Sequence, residues 1–182
     1  SIVYGNLTSL QTLELAGNGN SSTYTWNLNS FDQGNVYVAD ADSSISFTSL
    51  KALTKTISNT SASNDFTELD SLLSVATFND SVADIFTSDG NSPKKTREFR
   101  VFNNKIWGVP IANSTNTSSF VTGILWDSSD DIGDNEFDAT DREDIVFVTK
   151  VNQTKKGRYG TYDYEIRLPA KLRNYKIGQN GP

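Results

Sequence analysis

Residues 120–151 read FVTGILWDSSDDIGDNEFDATDREDIVFVTKV, and this stretch decides the fold. Its two ends, 120–126 and 145–151, are dense in β-branched and aromatic residues, the composition of strands. The second, IVFVTKV, is apolar enough for a central strand. Between them, residues 127–144 carry nine carboxylates and one cation, Arg142, for a local charge of −8. A segment so acidic, bracketed by two strands, is a loop joining them.

The same patterning extends outward. In 161–168 (TYDYEIRL), Tyr162, Tyr164, Ile166 and Leu168 alternate with Asp163, Glu165 and Arg167, and Pro169 follows. Residues 96–102 and 106–111 flank Asn103-Asn104, a two-residue hairpin signal, with Pro110 marking an edge or a strand end. Residues 12–15, 22–28, 36–41 and 44–50 read as further short strands. Residues 64–88 differ: Leu69, Leu72, Leu73 and Ala76, then Val82, Ile85 and Phe86, recur at helical spacing. The fold class expected is mainly β, a single β-sandwich, jelly-roll-like or immunoglobulin-like, with one or two short helices around residues 65–87. One domain accounts for residues 1–182, with 171–182 a polar tail.

The 182 residues contain no Cys, no His and no Met. Without imidazole or thiol there is no Ser-His-Asp triad, thiolate nucleophile or zinc-thiolate site. Any metal must be held by oxygen, which favours calcium or magnesium. The net charge of −6 argues against nucleic acid, and no apolar run is long enough to span a membrane. A carboxylate glycosidase needs two spaced acids and aromatics for sugar. Trp26, Trp107 and Trp126 each fall in an expected strand, where core packing is the simpler role. No enzyme is expected.

Crowded anions raise one another's energy, and a bound divalent cation relieves that cost. Calcium takes six to eight oxygens from carboxylates, carbonyls and water. The expected ligands are Asp127, Asp130, Asp131, Asp134, Glu136, Asp138, Asp141 and Asp144. The spacing is not that of an EF-hand: counting from Asp127, position six is Ile132 rather than Gly, and position twelve is Asp138 rather than Glu. The alternative is a solvated acidic loop. Asp40 and Asp42 form a weaker second candidate.

Residues 145–182 carry eight cations against Asp163 and Glu165, a charge of +6 beside the −8 loop. Opposite patches serve head-to-tail contact between copies, or pairing within one molecule, or neither where salt screens them. The N-terminal SIVYGNLTSLQTLEL pairs with its own sheet or is donated to a neighbour's. Seven N-glycosylation sequons occur, at Asn6, Asn20, Asn59, Asn79, Asn113, Asn116 and Asn152. The chain starts at Ser1 rather than Met, so N-terminal processing is expected, by signal-peptide cleavage or by engineering of the chain.

In these respects, and in the run ILWDSSDDIGDNEFDATDREDIVFV (124–148), the chain is similar to subunits of archaeal extracellular assemblies, namely surface-layer, pilus-like and tubule (cannula) proteins. A cannula-like subunit implies a β-sandwich protomer, strand donation and calcium-assisted polymerisation. A pilin-like one implies a preceding hydrophobic helix, which these residues do not include. The function expected is an extracellular structural subunit, a secreted glycoprotein at the cell surface. Its partners are copies of itself, in a filament, tube or lattice stabilised by calcium, and other surface proteins or glycans. The alternative is a calcium-dependent adhesin or carbohydrate-binding module.

Overall fold

The computed structural model describes residues 2–6, 10–17, 20–27, 34–40, 44–138 and 140–169. The expected polar tail, 171–182, lies outside them, as does Asp42. Twelve strands appear among the described residues. In chain order they are β1 (Ile2–Gly5), β2 (Leu10–Gly17), β3 (Asn20–Asn27), β4 (Asn35–Asp40), β5 (Leu50–Ala52), β6 (Thr96–Val101) and β7 (Asn104–Asn113). They continue with β8 (Val121–Asp127), β9 (Ile145–Lys150), β10 (Lys155–Lys156), β11 (Thr161–Tyr162) and β12 (Tyr164–Arg167). Two short helices, α1 (Asp65–Leu72) and α2 (Val82–Phe86), lie between β5 and β6. No described helix is long and apolar enough to cross a membrane.

The main sheet is antiparallel, in the order β4-β9-β8-β7-β6, and β5 pairs with the far end of β8. One edge of β8 is therefore shared: β7 takes Val121–Gly123 and β5 takes Leu125–Asp127. Both faces of β8 and β9 are buried, which is why IVFVTK lacks polar alternation. Ile124, Trp126, Ile145 and Phe147 face a core completed by Phe66, Leu69, Phe86, Ile166 and Leu168. Leu125, Val146 and Val148 face a second core with Phe99, Val101, Ile106 and Val109. The result is mainly β and sandwich-like. The β6–β7 hairpin packs over one face of the central strands, and α1, α2 and β12 pack over the other.

The N-terminal strand pairs at home: β1 runs antiparallel to β12, Ile2 opposite Arg167 and Gly5 opposite Tyr164. The β12 strand is anchored to the main sheet where the Arg167 N–H donates to Thr122 Oγ1 at 2.8 Å.

Several local expectations shift. The hairpin loop is Phe102-Asn103, one residue earlier than expected, because Val101 pairs with Asn104 and Phe102 takes the left-handed turn at φ +52°. Pro110 is neither at an edge nor at a strand end. It sits inside β7, where that strand changes partner from β6 to β8 and a missing N–H is tolerated. The 44–50 segment forms a 3-10 turn at Phe47–Ser49 and only then a strand. The 161–168 segment breaks at Asp163, and its expected polar face is buried at Asp163 and Glu165. Burial is offset in part because both carboxylates cap the 151–160 loop, while Glu165 Oε1 has no hydrogen-bond partner among the described residues. Asp163 accepts the Thr154 N–H at 3.0 Å, and Glu165 accepts the Arg158 N–H at 2.9 Å and the Tyr162 hydroxyl at 2.6 Å.

Gly123 is required by the layering. A Cβ there would lie 2.7 Å from the Phe99 ring and 3.0 Å from Val109 Cγ1. Replacing Gly123 with Ala is expected to cost about 1–3 kcal/mol, the range for overpacking a core. Urea denaturation checks this: the midpoint falls while the slope is unchanged.

Candidate metal centre

The acidic loop leaves β8 at Asp127, whose side chain is fully buried. Oδ2 accepts the Ser46 N–H at 2.6 Å, and Oδ1 accepts the Ser129 N–H at 3.0 Å and the Ser129 hydroxyl at 2.8 Å. The Ser128 hydroxyl donates to the Ser49 carbonyl at 2.6 Å. Across the neck, the Asp127 N–H donates to the Asp144 carbonyl at 2.9 Å, and the Asp144 N–H reaches Asp130 Oδ2 at 3.3 Å. Phe137, almost wholly buried, plugs the loop into the core, its ring edge-on to Trp126 at 6.1 Å. Trp126 in turn donates from Nε1 to the Lys55 carbonyl at 3.0 Å.

Above this neck the chain coils around its own carboxylates. Asp131 accepts N–H groups from Gly133 at 2.9 Å and Asn135 at 3.0 Å. Asp134 accepts the Glu136 N–H at 2.9 Å. Asp138 accepts Thr140 at 2.6 Å and Asp141 at 3.0 Å. Asp141 reaches back across the loop to the Ile132 N–H at 2.8 Å. Gly133 at φ +112°, Asn135 at φ +70° and Arg142 at φ +62° supply the left-handed positions this coiling needs.

The consequence is convergence. Asp131, Asp134 and Asp141 each place one carboxylate oxygen so that all three lie within 4.8 Å of one another. Oxygens on opposite sides of a calcium ion, each about 2.3–2.6 Å from it, are about 5 Å apart, so one ion fits among these three. A carboxylate oxygen that takes one N–H keeps a second lone pair for a cation. The group is solvent-accessible, with Asp134 exposed and Asp131 and Asp141 half-buried, which leaves room for water as further ligand. The Glu136 N–H lowers the Asp134 carboxyl, but contact with the Asp138 and Asp131 carboxylates outweighs it, and the net shift is upward. Asp138 is held low, chiefly by the Asp141 N–H.

Glu143 lies outside the expected ligand set. It is almost wholly buried; Oε2 accepts the Asp138 N–H at 3.1 Å, and Oε1 has no hydrogen-bond partner among the described residues. Burial pushes its carboxyl up to about 7, and the Asp138 and Asp141 charges add to the shift. It lies in the irregular stretch before β9, beside Asp144, which is buried as well, so strand alternation does not single it out.

The eight expected ligands therefore divide. Asp131, Asp134 and Asp141 converge, and Asp138 touches the group through Asp134. Asp127, Asp130 and Asp144 secure the neck, where backbone atoms take their place in the geometry. Glu136 is exposed and outside the cluster. For the second candidate, Asp42 and the Asp40 side chain lie outside the described residues. Of the sequons, Asn6, Asn59, Asn79, Asn113 and Asn116 are exposed. Asn152 is half-buried with Nδ2 donating to the Ser119 carbonyl at 2.8 Å, and the Asn20 side chain is outside the description.

The core role expected for the tryptophans holds for Trp126 and fails for Trp107, which is 65% exposed. A bulge sets Trp107 and Gly108 opposite Glu98, since Arg97 pairs with Val109 and Phe99 with Ile106. Gly108 takes φ +69° there, and the bulge turns the indole outward. The Trp26 side chain is outside the description.

Three buried carboxylates, Asp65, Asp70 and Glu143, are pushed up chiefly by burial and fix a pH dependence. Asp65 is pushed up to about 7 by burial, against the lowering effect of the Thr54 N–H, with the Glu68 and Glu136 charges adding. Between about pH 4 and 7 the folded protein binds more protons at Asp65 and Glu143 than the unfolded chain does. Their contribution is thus full at the acid end and lost as pH rises through about 7. Thermal denaturation without divalent metal is expected to show this fall, and Asp65→Asn to flatten it.

No known protein family, no curated protein and no solved structure matches the chain.

Proposed function

We propose that the β8–β9 loop is a calcium site and that the chain is an extracellular structural subunit, assembling with copies of itself. The observation that carries the calcium reading is the convergence of Asp131, Asp134 and Asp141 within 4.8 Å. The ion's work is mechanical. It neutralises the cluster, holds the coil of residues 131–141 in one shape, and presents that shape to a neighbouring copy. Two further features favour association. The outer edge of β1 has no strand partner among the described residues, and Val3 and Tyr4 stand exposed on it. The negative loop and the positive β10 pair, Lys155 and Lys156, offer complementary charge for a head-to-tail contact. Secretion follows from the same reading, since millimolar extracellular calcium saturates sites far weaker than a cytosolic sensor's.

A second reading is a calcium-dependent binding module for carbohydrate. The exposed Trp107 favours it, with the Lys105 ammonium 5.8 Å from its ring centroid.

Calcium is expected to raise the thermal midpoint, with stabilisation of about 2.7 kcal/mol at a hundredfold excess over Kd. Replacing Asp131, Asp134 and Asp141 together with Asn removes that response, and calorimetry then shows no uptake. Light scattering and electron microscopy distinguish the two readings. Growth in mass on adding calcium supports the structural subunit, and a persistent monomer that takes up calcium supports the binding module.

A further inference from the structure

While the carboxylates crowd the β8–β9 loop, two cations face a different feature. A pocket of about 350 Å³ opens where the start of β6, the turn before β8 and the end of β9 meet. That volume falls within the range of roughly 300–1,000 Å³ typical of small-molecule sites. Arg97 and Lys150 line it, together with Ser118, Ser119, Asn152 and Gln153. Val121 and Val151 add a small apolar strip to a mostly polar wall, and no carboxylate lines it among the described residues.

The walls are fixed. Arg97 Cζ sits 5.7 Å from the centroid of the Phe99 ring, and Phe99 is buried against Gly123. The Asn152 side chain is tied to the Ser119 carbonyl, its N–H donates to the Asp163 carbonyl at 2.9 Å, and the Val151 N–H donates to the Gly34 carbonyl at 2.9 Å. The groups facing the pocket are unspent by comparison. Among the described residues, neither Arg97 nor Lys150 is paired with a carboxylate, and the Ser118 and Ser119 hydroxyls and the Gln153 carboxamide make no hydrogen bond.

We propose that this pocket binds an acidic sugar, a saccharide ring bearing a carboxylate or a sulfate. The guanidinium fork and the ammonium supply charge-assisted hydrogen bonds to one anionic group. The hydroxyls and carboxamides match the mixed donors and acceptors of a sugar's hydroxyls. The two valines suit the apolar C–H face of the ring. A bare inorganic anion uses the cations and leaves the rest of the wall idle, and a neutral sugar leaves both cations unpaired. The protein as a whole is anionic at −6, so this cation pair marks a local reversal of its field. The site is separate from the acidic loop and takes its ligand without calcium.

The test titrates the protein, free of divalent metal, with glucuronate, a sulfated galactose, glucose and inorganic sulfate, following backbone amides by NMR. Glucuronate and the sulfated galactose are expected to saturate and to shift the amides of Ser118, Ser119, Asn152 and Gln153. Glucose and inorganic sulfate are expected to bind at least about tenfold more weakly, the scale of one lost charge-assisted bond. The double variant Arg97→Gln with Lys150→Gln, both surface positions, loses the response to the acidic sugars while its remaining amides keep their positions. Glucose binding as tightly as glucuronate overturns the anion requirement, and sulfate binding as tightly as the sulfated sugar overturns sugar recognition. Failure to saturate at millimolar ligand, shifts centred elsewhere, or full binding by the double variant each overturns the site itself.

Discussion

Asp127 carries the constraint on which the acidic loop depends. A fully buried carboxylate is costly unless every charge-bearing oxygen is met by a donor, and Ser46 and Ser129 meet both of its oxygens. That one side chain joins the end of β8 to the segment before β5 and to the first turn of the loop. Because the neck is closed by backbone and buried acid, the crowding of charge is confined to the coil above it. There, water and a cation can reach the carboxylates, so the strand pair does not bear the repulsion.

Much of the fold was legible because the central strands are so apolar. Residues 120–126 and 145–151 announce themselves by composition, and β8 and β9 follow them within a residue or two. The helical spacing was legible in part: Leu69, Leu73, Val82, Ile85 and Phe86 pack on one face of the sheet, whereas Leu72 is exposed and Ala76 lies beyond the end of α1. Asp163 and Glu165 were misread for the opposite reason. Period-two alternation assigns polar residues to solvent, but here they point into the protein to satisfy a neighbouring loop. The hairpin loop was missed by one residue because Phe102 accepts a left-handed conformation that Asn ordinarily fills.

The acidic segment illustrates a different limit. Nine carboxylates in eighteen positions mark a region, but composition alone does not sort them. Asp131, Asp134 and Asp141 converge because turns at Gly133 and Asn135 fold the chain back, and because Asp141 ties itself to Ile132. Glu143 reads like any other acid in the run, yet it is buried, with Oε2 on the Asp138 N–H. The Arg97–Lys150 pocket was illegible for a related reason. Its residues come from β6, a turn and the far end of β9, and only the sheet's order brings them together.

The partner exchange along β7 has a mechanical meaning. From Asn104 to Pro110 the strand belongs to its hairpin with β6, and only Ile111–Asn113 ties it to β8. The rest of the hairpin's hold on the molecule comes from the burial of Phe99, Val101, Ile106 and Val109 against the central strands and from the Asn35 Nδ2 bond to the Arg100 carbonyl at 2.8 Å. Tension applied at the hairpin tip is therefore resisted more by side-chain packing than by sheet hydrogen bonds.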